Sequence, residues 1–247
     1  RYEANPANQY LWRTVPPVMG LVAAATATAS VSVNEQEVTA RRGEYFWKEI
    51  VVNNGEEPGG GSLWVDLEVK AANATNESVV AGNLYVPKSP ERFTYDPDGN
   101  LLSDDRWNYE WDAENRLIRM TTRGPVGPQR QLEFDYDWRG RRIGKRVWSN
   151  ATGDGPPFRS QTFVYYGWNL LLVLDGNGNA DQSFHWGQDL RGSREEAGGI
   201  GGLLSWTLHG GTNAGTYFCA YDGNGNVVGL VNAADGTWAA RYEYGPF

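Results

Sequence analysis

Residues 93–117 read FTYDPDGNLLSDDRWNYEWDAENRL, and this stretch states one short phrase twice. In the first copy Tyr95-Asp96 leads through Pro97-Asp98-Gly99-Asn100 to Leu101, and in the second Trp111-Asp112 leads through Ala113-Glu114-Asn115-Arg116 to Leu117. An aromatic residue and an acid thus end one strand, a polar turn follows, and an aliphatic residue opens the next. Gly and Asn accept the positive φ of a tight hairpin turn, and an Asp side chain can bond the turn's own backbone. The copies start sixteen residues apart. A strand-turn-strand unit of that size cannot bury its own apolar face, so the units must stack.

Looser copies follow. Tyr136-Asp137-Trp138-Arg139-Gly140-Arg141 leads to Ile143, and Tyr166-Gly167-Trp168-Asn169 leads to Leu170. Asp175, Asn177 and Asn179 form another turn, and Tyr221-Asp222 runs through Asn224 and Asn226 to Val227. The expectation is an all-β chain whose antiparallel hairpin sheet curves or spirals, preceded by a small antiparallel sheet or sandwich. Hairpin turns are expected at residues 96–100, 112–116, 175–179 and 222–226.

The phrases Tyr95 to Leu101, Trp111 to Leu117, Gly140-Arg-Arg-Ile-Gly-Lys145 and Arg241-Tyr-Glu-Tyr-Gly-Pro-Phe247 together resemble the RHS or YD-repeat proteins over residues 93–247. The resemblance implies long sheets that spiral and sometimes close into a hollow shell around a secreted toxin. Members of that family also carry a self-cleaving segment ending in a DPxGL-like motif. No such motif occurs in this sequence, so neither autoproteolysis nor toxin activity is carried over.

Composition agrees with a turn-rich β protein: 31 Gly, 13 Tyr and 11 Trp among 247 residues. A net charge of −8 argues against electrostatic capture of nucleic acid or anionic membrane. The basic run Arg139 to Arg146 reads as one charged strand face. A single cysteine, Cys219, excludes an intrachain disulfide. No stretch reaches the roughly 18 apolar residues of a membrane-spanning helix. Pro16, Pro17 and Gly20 interrupt the nearest candidate, Val15 to Ala29, which is no convincing signal peptide either. The expected location is extracellular or cell-surface, with the signal not in this chain.

Three regions are expected. Residues 1–27 form an extended arm with Tyr10, Leu11, Trp12, Val15 and Val18 as anchors. Residues 28–88 form the small β module, with strands near 30–34, 38–41, 45–52, 63–69 and 79–86, and residues 89–247 form the repeat region. Loops are read at Pro58 to Gly61, Thr121 to Gln129, Ser149 to Pro157 and Arg191 to Gly202.

Asp96, Asp175 and Asp222 each open a D-x-[DN]-x-[DN] pattern, the start of a calcium loop. The glycine needed at the sixth position is Leu101, Ala180 or Val227, and the glutamate needed at the twelfth is Trp107, Trp186 or Ala233. No metal and no cofactor are therefore expected. Cys219 has only His185 and His209 as possible bases, with no spacing that joins them, so a packed thiol is expected. The acidic pairs Asp104-Asp105, Glu195-Glu196 and Asp135/Asp137 read as turn and strand-face residues, and the tryptophans mainly as core. Asn73, Asn76 and Asn150 head glycosylation acceptor patterns.

With no site left standing, the expected function is a non-enzymatic structural module that self-assembles through its ends into an extracellular filament or tubule, or forms part of a shell. The alternative is a carbohydrate-binding surface module using exposed Trp and Tyr. Expected partners are further copies of the chain, reached through edge strands and the arm, or a glycan, with no nucleic acid and no membrane span. The related phrases Arg1-Tyr2-Glu3 and Arg241-Tyr242-Glu243-Tyr244 support the end-to-end reading.

Overall fold

A computed structural model describes residues 1–55, 60–194 and 196–245. Pro58 and Gly59 of the first expected loop, Glu195, and the closing Pro246-Phe247 lie outside the described residues. The described chain is all-β and its strand pairs are antiparallel. It divides into two compact units: residues 1–130 with 150–152, and the remainder from residue 131 onward.

Unit 1 carries, in chain order, β1 (Tyr2–Ala4), β2 (Tyr10–Arg13), β3 (Val18–Ala24), β4 (Ser30–Val33), β5 (Gln36–Glu37), β6 (Arg41–Arg42), β7 (Tyr45–Val51), β8 (Leu63–Ala72), β9 (Glu77–Val86), β10 (Glu91–Arg92), β11 (Thr94–Tyr95), β12 (Leu101–Ser103), β13 (Trp107–Trp111) and β14 (Leu117–Thr122). Two small sheets, β3-β7-β6 and β5-β4-β8-β9, face each other. Strict alternation in Ser30-Val-Ser-Val33 sends Val31 and Val33 inward, where they meet Phe46, Val38, Leu21, Ile50 and Val69. Phe46 is only 1% exposed and is the largest fully buried side chain.

The first 27 residues are already hydrogen-bonded within the chain. β2, which holds Tyr10, Leu11 and Trp12, has β1 on one side and β10 on the other, with Trp12 opposite both Glu3 and Arg92. Val15 donates its N–H to Ser89 Oγ at 3.1 Å, and Val18 opens β3, which pairs with β7 along all seven residues. The extended arm expected over residues 1–27 is thus found as paired strands, with β2 in the middle of a three-stranded sheet. β11 to β14 then pair in succession.

Unit 2 carries β15 (Gln131–Tyr136), β16 (Arg142–Trp148), β17 (Arg159–Tyr166), β18 (Asn169–Leu174), β19 (Ala180–Trp186), β20 (Leu203–Leu208), β21 (Gly215–Tyr221), β22 (Val227–Asn232) and β23 (Trp238–Arg241), each paired with the next.

One turn recurs in both units. Asp96 and Asp112 in unit 1, and Asp137, Asp175 and Asp222 in unit 2, each give a backbone N–H to the carbonyl four residues on, at 2.8–3.0 Å. The Oδ1 of each Asp takes the N–H of that same residue at 2.8–3.0 Å. Its Oδ2 takes that residue's side chain: Asn100, Arg116, Arg141, Asn179 or Asn226. The fourth residue has positive φ and is Gly99, Asn115, Gly140, Gly178 or Gly225. A register shift stands immediately before each turn, at Tyr95, Trp111, Tyr136, Leu174 and Tyr221. Tyr166 and Asn169 pair directly across a shorter turn with Gly167 at positive φ.

Candidate functional site

In unit 1, the segment leaving β9, the Asp104-Asp105 turn between β12 and β13, and the loop after β14 surround a cleft of about 360 Å³. Its lining includes Ser62, Tyr85, Lys88, Arg92, Asp104, Asp105 and Arg123. Beside it Arg106 lies against three rings, 5.3 Å from Trp64, 4.8 Å from Tyr85 and 5.5 Å from Trp107, and donates to Pro128 O at 2.9 Å. That clamp fixes the aromatic wall on which the cleft is built.

The two carboxylates are held by the protein. Asp105 Oδ2 accepts from Ser62 Oγ at 2.5 Å, Tyr85 OH at 2.7 Å and Lys88 N at 2.9 Å. Asp104 accepts from the Arg106 and Trp107 N–H groups at 2.7 and 2.6 Å and from Tyr109 OH at 2.7 Å. Burial first, and the neighbouring carboxylate after it, push both tyrosine hydroxyls well above their ordinary range, so they remain donors. Beneath them Glu91, 4% exposed, takes Arg13 Nε at 2.6 Å, and burial outweighs that bond in raising its pKa.

The cations are held far less. Lys88 and Arg92 are exposed and make no ion pair among the described residues, while Arg123 gives one guanidinium N–H to Asp104 O at 3.2 Å. Three positive side chains therefore ring an opening whose two negative groups are largely satisfied from within. Such an arrangement attracts an anion that also carries hydrogen-bond donors.

The other candidate residues fall elsewhere. Every turn Asp has its carboxylate filled as described above, and among the described residues no group of three or more His, Cys, Asp or Glu is placed to hold a metal ion. Cys219 is half-buried on β21 between Tyr217 and Tyr221, and burial pushes its thiol up. Asp135 pairs with Arg146 at 2.6 Å and Asp137 with Arg141 at 2.6 Å. The run 139–146 is thus engaged within unit 2 by ion pairs, and Arg142 lies over Phe134.

The tryptophans are not mainly core. Trp47, Trp138, Trp168 and Trp238 are about half exposed or more, and Trp138 and Trp238 are covered by Arg139 and Arg241 instead. Strand alternation does not say which sheet face is covered, and a stacked guanidinium shields a ring without burying it.

No family model matches the chain. The tRNA3(Ser)-specific nuclease WapA of Bacillus spizizenii is 28% identical over 176 residues. This chain resembles the WapA nucleases. The tRNA nuclease WapA of Bacillus subtilis strain 168 is likewise 28% identical over 176 residues, and the tRNA(Glu)-specific nuclease WapA of Bacillus subtilis subsp. natto 28% over 175. Each alignment covers 70% of this chain, and the chain spans about 6% of the length of these WapA proteins.

The likeness to WapA corrects several expectations. The RHS or YD-repeat resemblance is not upheld: no family model matches, and the relatives are named as tRNA nucleases. The phrase that carried it is the chemistry of one turn, an Asp carboxylate capturing the residue four places on, which any stacked hairpin can use. The non-enzymatic structural module, its filament, tubule or shell, and the glycan-binding alternative give way to nuclease relatives, as does the statement that the protein is no enzyme. The exclusion of nucleic acid does not stand beside relatives named as tRNA nucleases, and a net charge of −8 is a sum over the surface that says nothing of a local cationic rim.

Proposed function

We propose that this chain is part of a nuclease that acts on tRNA, similar to WapA, and that the unit 1 cleft takes the phosphate backbone of the RNA. The observation that carries the proposal is the WapA alignment, which covers 70% of the chain. The cleft supports it in chemistry. Lys88, Arg92 and Arg123 suit a phosphodiester, and the free Oδ1 of Asp105, which accepts no hydrogen bond among the described residues, suits a ribose 2′-hydroxyl.

Because the protein as a whole is acidic, contact with RNA through that rim is local and weak at high salt. Gel retardation of total tRNA by the intact purified chain tests it. Retention at about 50 mM salt that disappears by about 200 mM is expected, with an unlabelled DNA duplex of equal length competing poorly. If tRNA is neither retarded nor shortened at the lowest salt, the reading is wrong.

A further inference from the structure

The two histidines of the chain, 24 residues apart in sequence, come together on one face of unit 2. In an antiparallel pair, directly opposed residues share a face and alternate residues return to it. Ser183 opposes Thr207 and His185 opposes Ser205, so Ser183, His185, Ser205 and Thr207 lie on one side of β19 and β20. Thr216 opposes Thr207 from β21, their hydroxyls 2.9 Å apart, and the exposed Phe218 opposes Ser205 on the same face and bounds the polar strip there. Phe184, Trp206 and Tyr217 occupy the opposite face, where Trp206 and Tyr217 stack at 5.9 Å.

His209 follows β20, its N–H bonded to Asp181 O at 3.0 Å, and its Nε2 reaches along the strip to Ser183 Oγ at 2.9 Å. His185 Nδ1 meets Ser205 Oγ at 3.2 Å, and its Nε2 makes no hydrogen bond among the described residues. Both imidazoles are exposed, while Ser205 is 6% exposed and so is a fixed anchor. The two rings meet Ser183 and Ser205, which stand diagonally across β19 and β20, a spacing of about 7–8 Å between residues that suits one phosphodiester between two proton-transfer groups. Arg159, 3.6 Å from Asp181, supplies a cation at the His209 end.

We infer that His185 and His209 form a general base and general acid pair for cleaving RNA, an inference that rests on the tRNA-directed reading above. His185 takes the proton from a ribose 2′-hydroxyl through Nε2 as that oxygen attacks the adjacent phosphorus. A new 2′-O–P bond forms and the P–O5′ bond breaks, while protonated His209 gives its proton to the departing 5′-oxygen. The products are a 2′,3′-cyclic phosphate and a free 5′-hydroxyl, with no oxidant or reductant involved. The polar strip of serine and threonine hydroxyls holds the two rings and offers hydrogen bonds to the phosphate oxygens.

The test uses the intact chain and end-labelled tRNA. Wild type is expected to yield fragments whose 3′ ends carry the cyclic phosphate by mass, and RNA with 2′-O-methyl groups is expected to stay whole. His185→Ala and His209→Ala are each expected to cut at least about 100-fold more slowly, with circular dichroism showing the strands still formed. Ser205→Ala, which removes only an anchor, should lose less. The inference is overturned if wild type leaves tRNA intact, if both histidine variants cut at the wild-type rate, or if 2′-O-methyl RNA is cut equally well. Those outcomes leave the tRNA-directed reading standing wherever the gel still shows retention, and loss of retention fails that reading instead.

Discussion

Unit 1 and unit 2 draw on the same Asp-led turn but bury different things. In unit 1 two small sheets close on Val31, Val33, Val38 and Phe46, a compact apolar cluster. In unit 2 the buried residues are scattered over β15, β16, β18, β20 and β22, from Phe134 through Val173 to Leu230, and include the polar Asn169 and Ser205. A sandwich gains its stability from side-chain burial, whereas a long meander leans on its ladders and turns and leaves side chains on its faces. The difference separates parts that hold the fold from parts free to meet a ligand. In unit 1 the free groups sit at the rim of the cleft. In unit 2 they form the polar strip of β19 to β21.

The largest expected effect breaks the sandwich. Phe46→Ala should destabilise unit 1 by about 3–5 kcal/mol, read by urea unfolding, with hydrogen exchange rising in β4, β7 and β8. An equally large loss of protection in β19 to β22 would show that the contrast between the units is false. Smaller by design is Gly178→Ala, which places a Cβ at φ 83° in a turn of unit 2 and should cost about 1–2 kcal/mol. Asn115 already tolerates φ 58° at the equivalent place in unit 1, so Asn115→Gly should change stability by only a few tenths of a kcal/mol.

The turn carboxylates give a pH signature. Hydrogen bonds from Asn226, side chain first and backbone next, hold Asp222 below the usual carboxylate range, and the same class of bond, backbone first, does so for Asp112 and Asp175. A depressed pKa in the folded chain means the contribution is full above about pH 4 and drains as pH falls through the lowered values. Asp222→Ala should therefore lower the melting temperature by a few degrees near neutrality, and the gap to wild type should narrow toward pH 2. A gap that widened in acid would contradict the turn geometry.

These features differ in how openly the sequence announced them. The turns were legible because everything that makes them, Asp, a residue fit for positive φ, and Asn or Arg four places on, lies within five consecutive residues. Strand alternation likewise located β4, β7, β8 and β9 to within a few residues. Lys88, Arg92 and Arg123 carry no such signal, since they come from two connections and the short strand β10, up to 35 residues apart, and belong to no motif. The partners of residues 1–27 were equally hidden, because Trp12 meets Arg92 and Val18 meets Val51 across long separations. His185 and His209 belong to no common motif, and only the β19–β20 register, with His185 opposite Ser205 and Ser183 opposite Thr207, puts them on one face.

The most direct measurement is the salt dependence of tRNA binding by the intact chain and by Lys88→Ala and Arg92→Ala variants. With three phosphate contacts in the cleft, log K should fall against log salt with a slope of about −2 to −3, and each variant should make that slope shallower by about 1. A wild-type slope near zero, or a slope that neither substitution changes, would contradict the account.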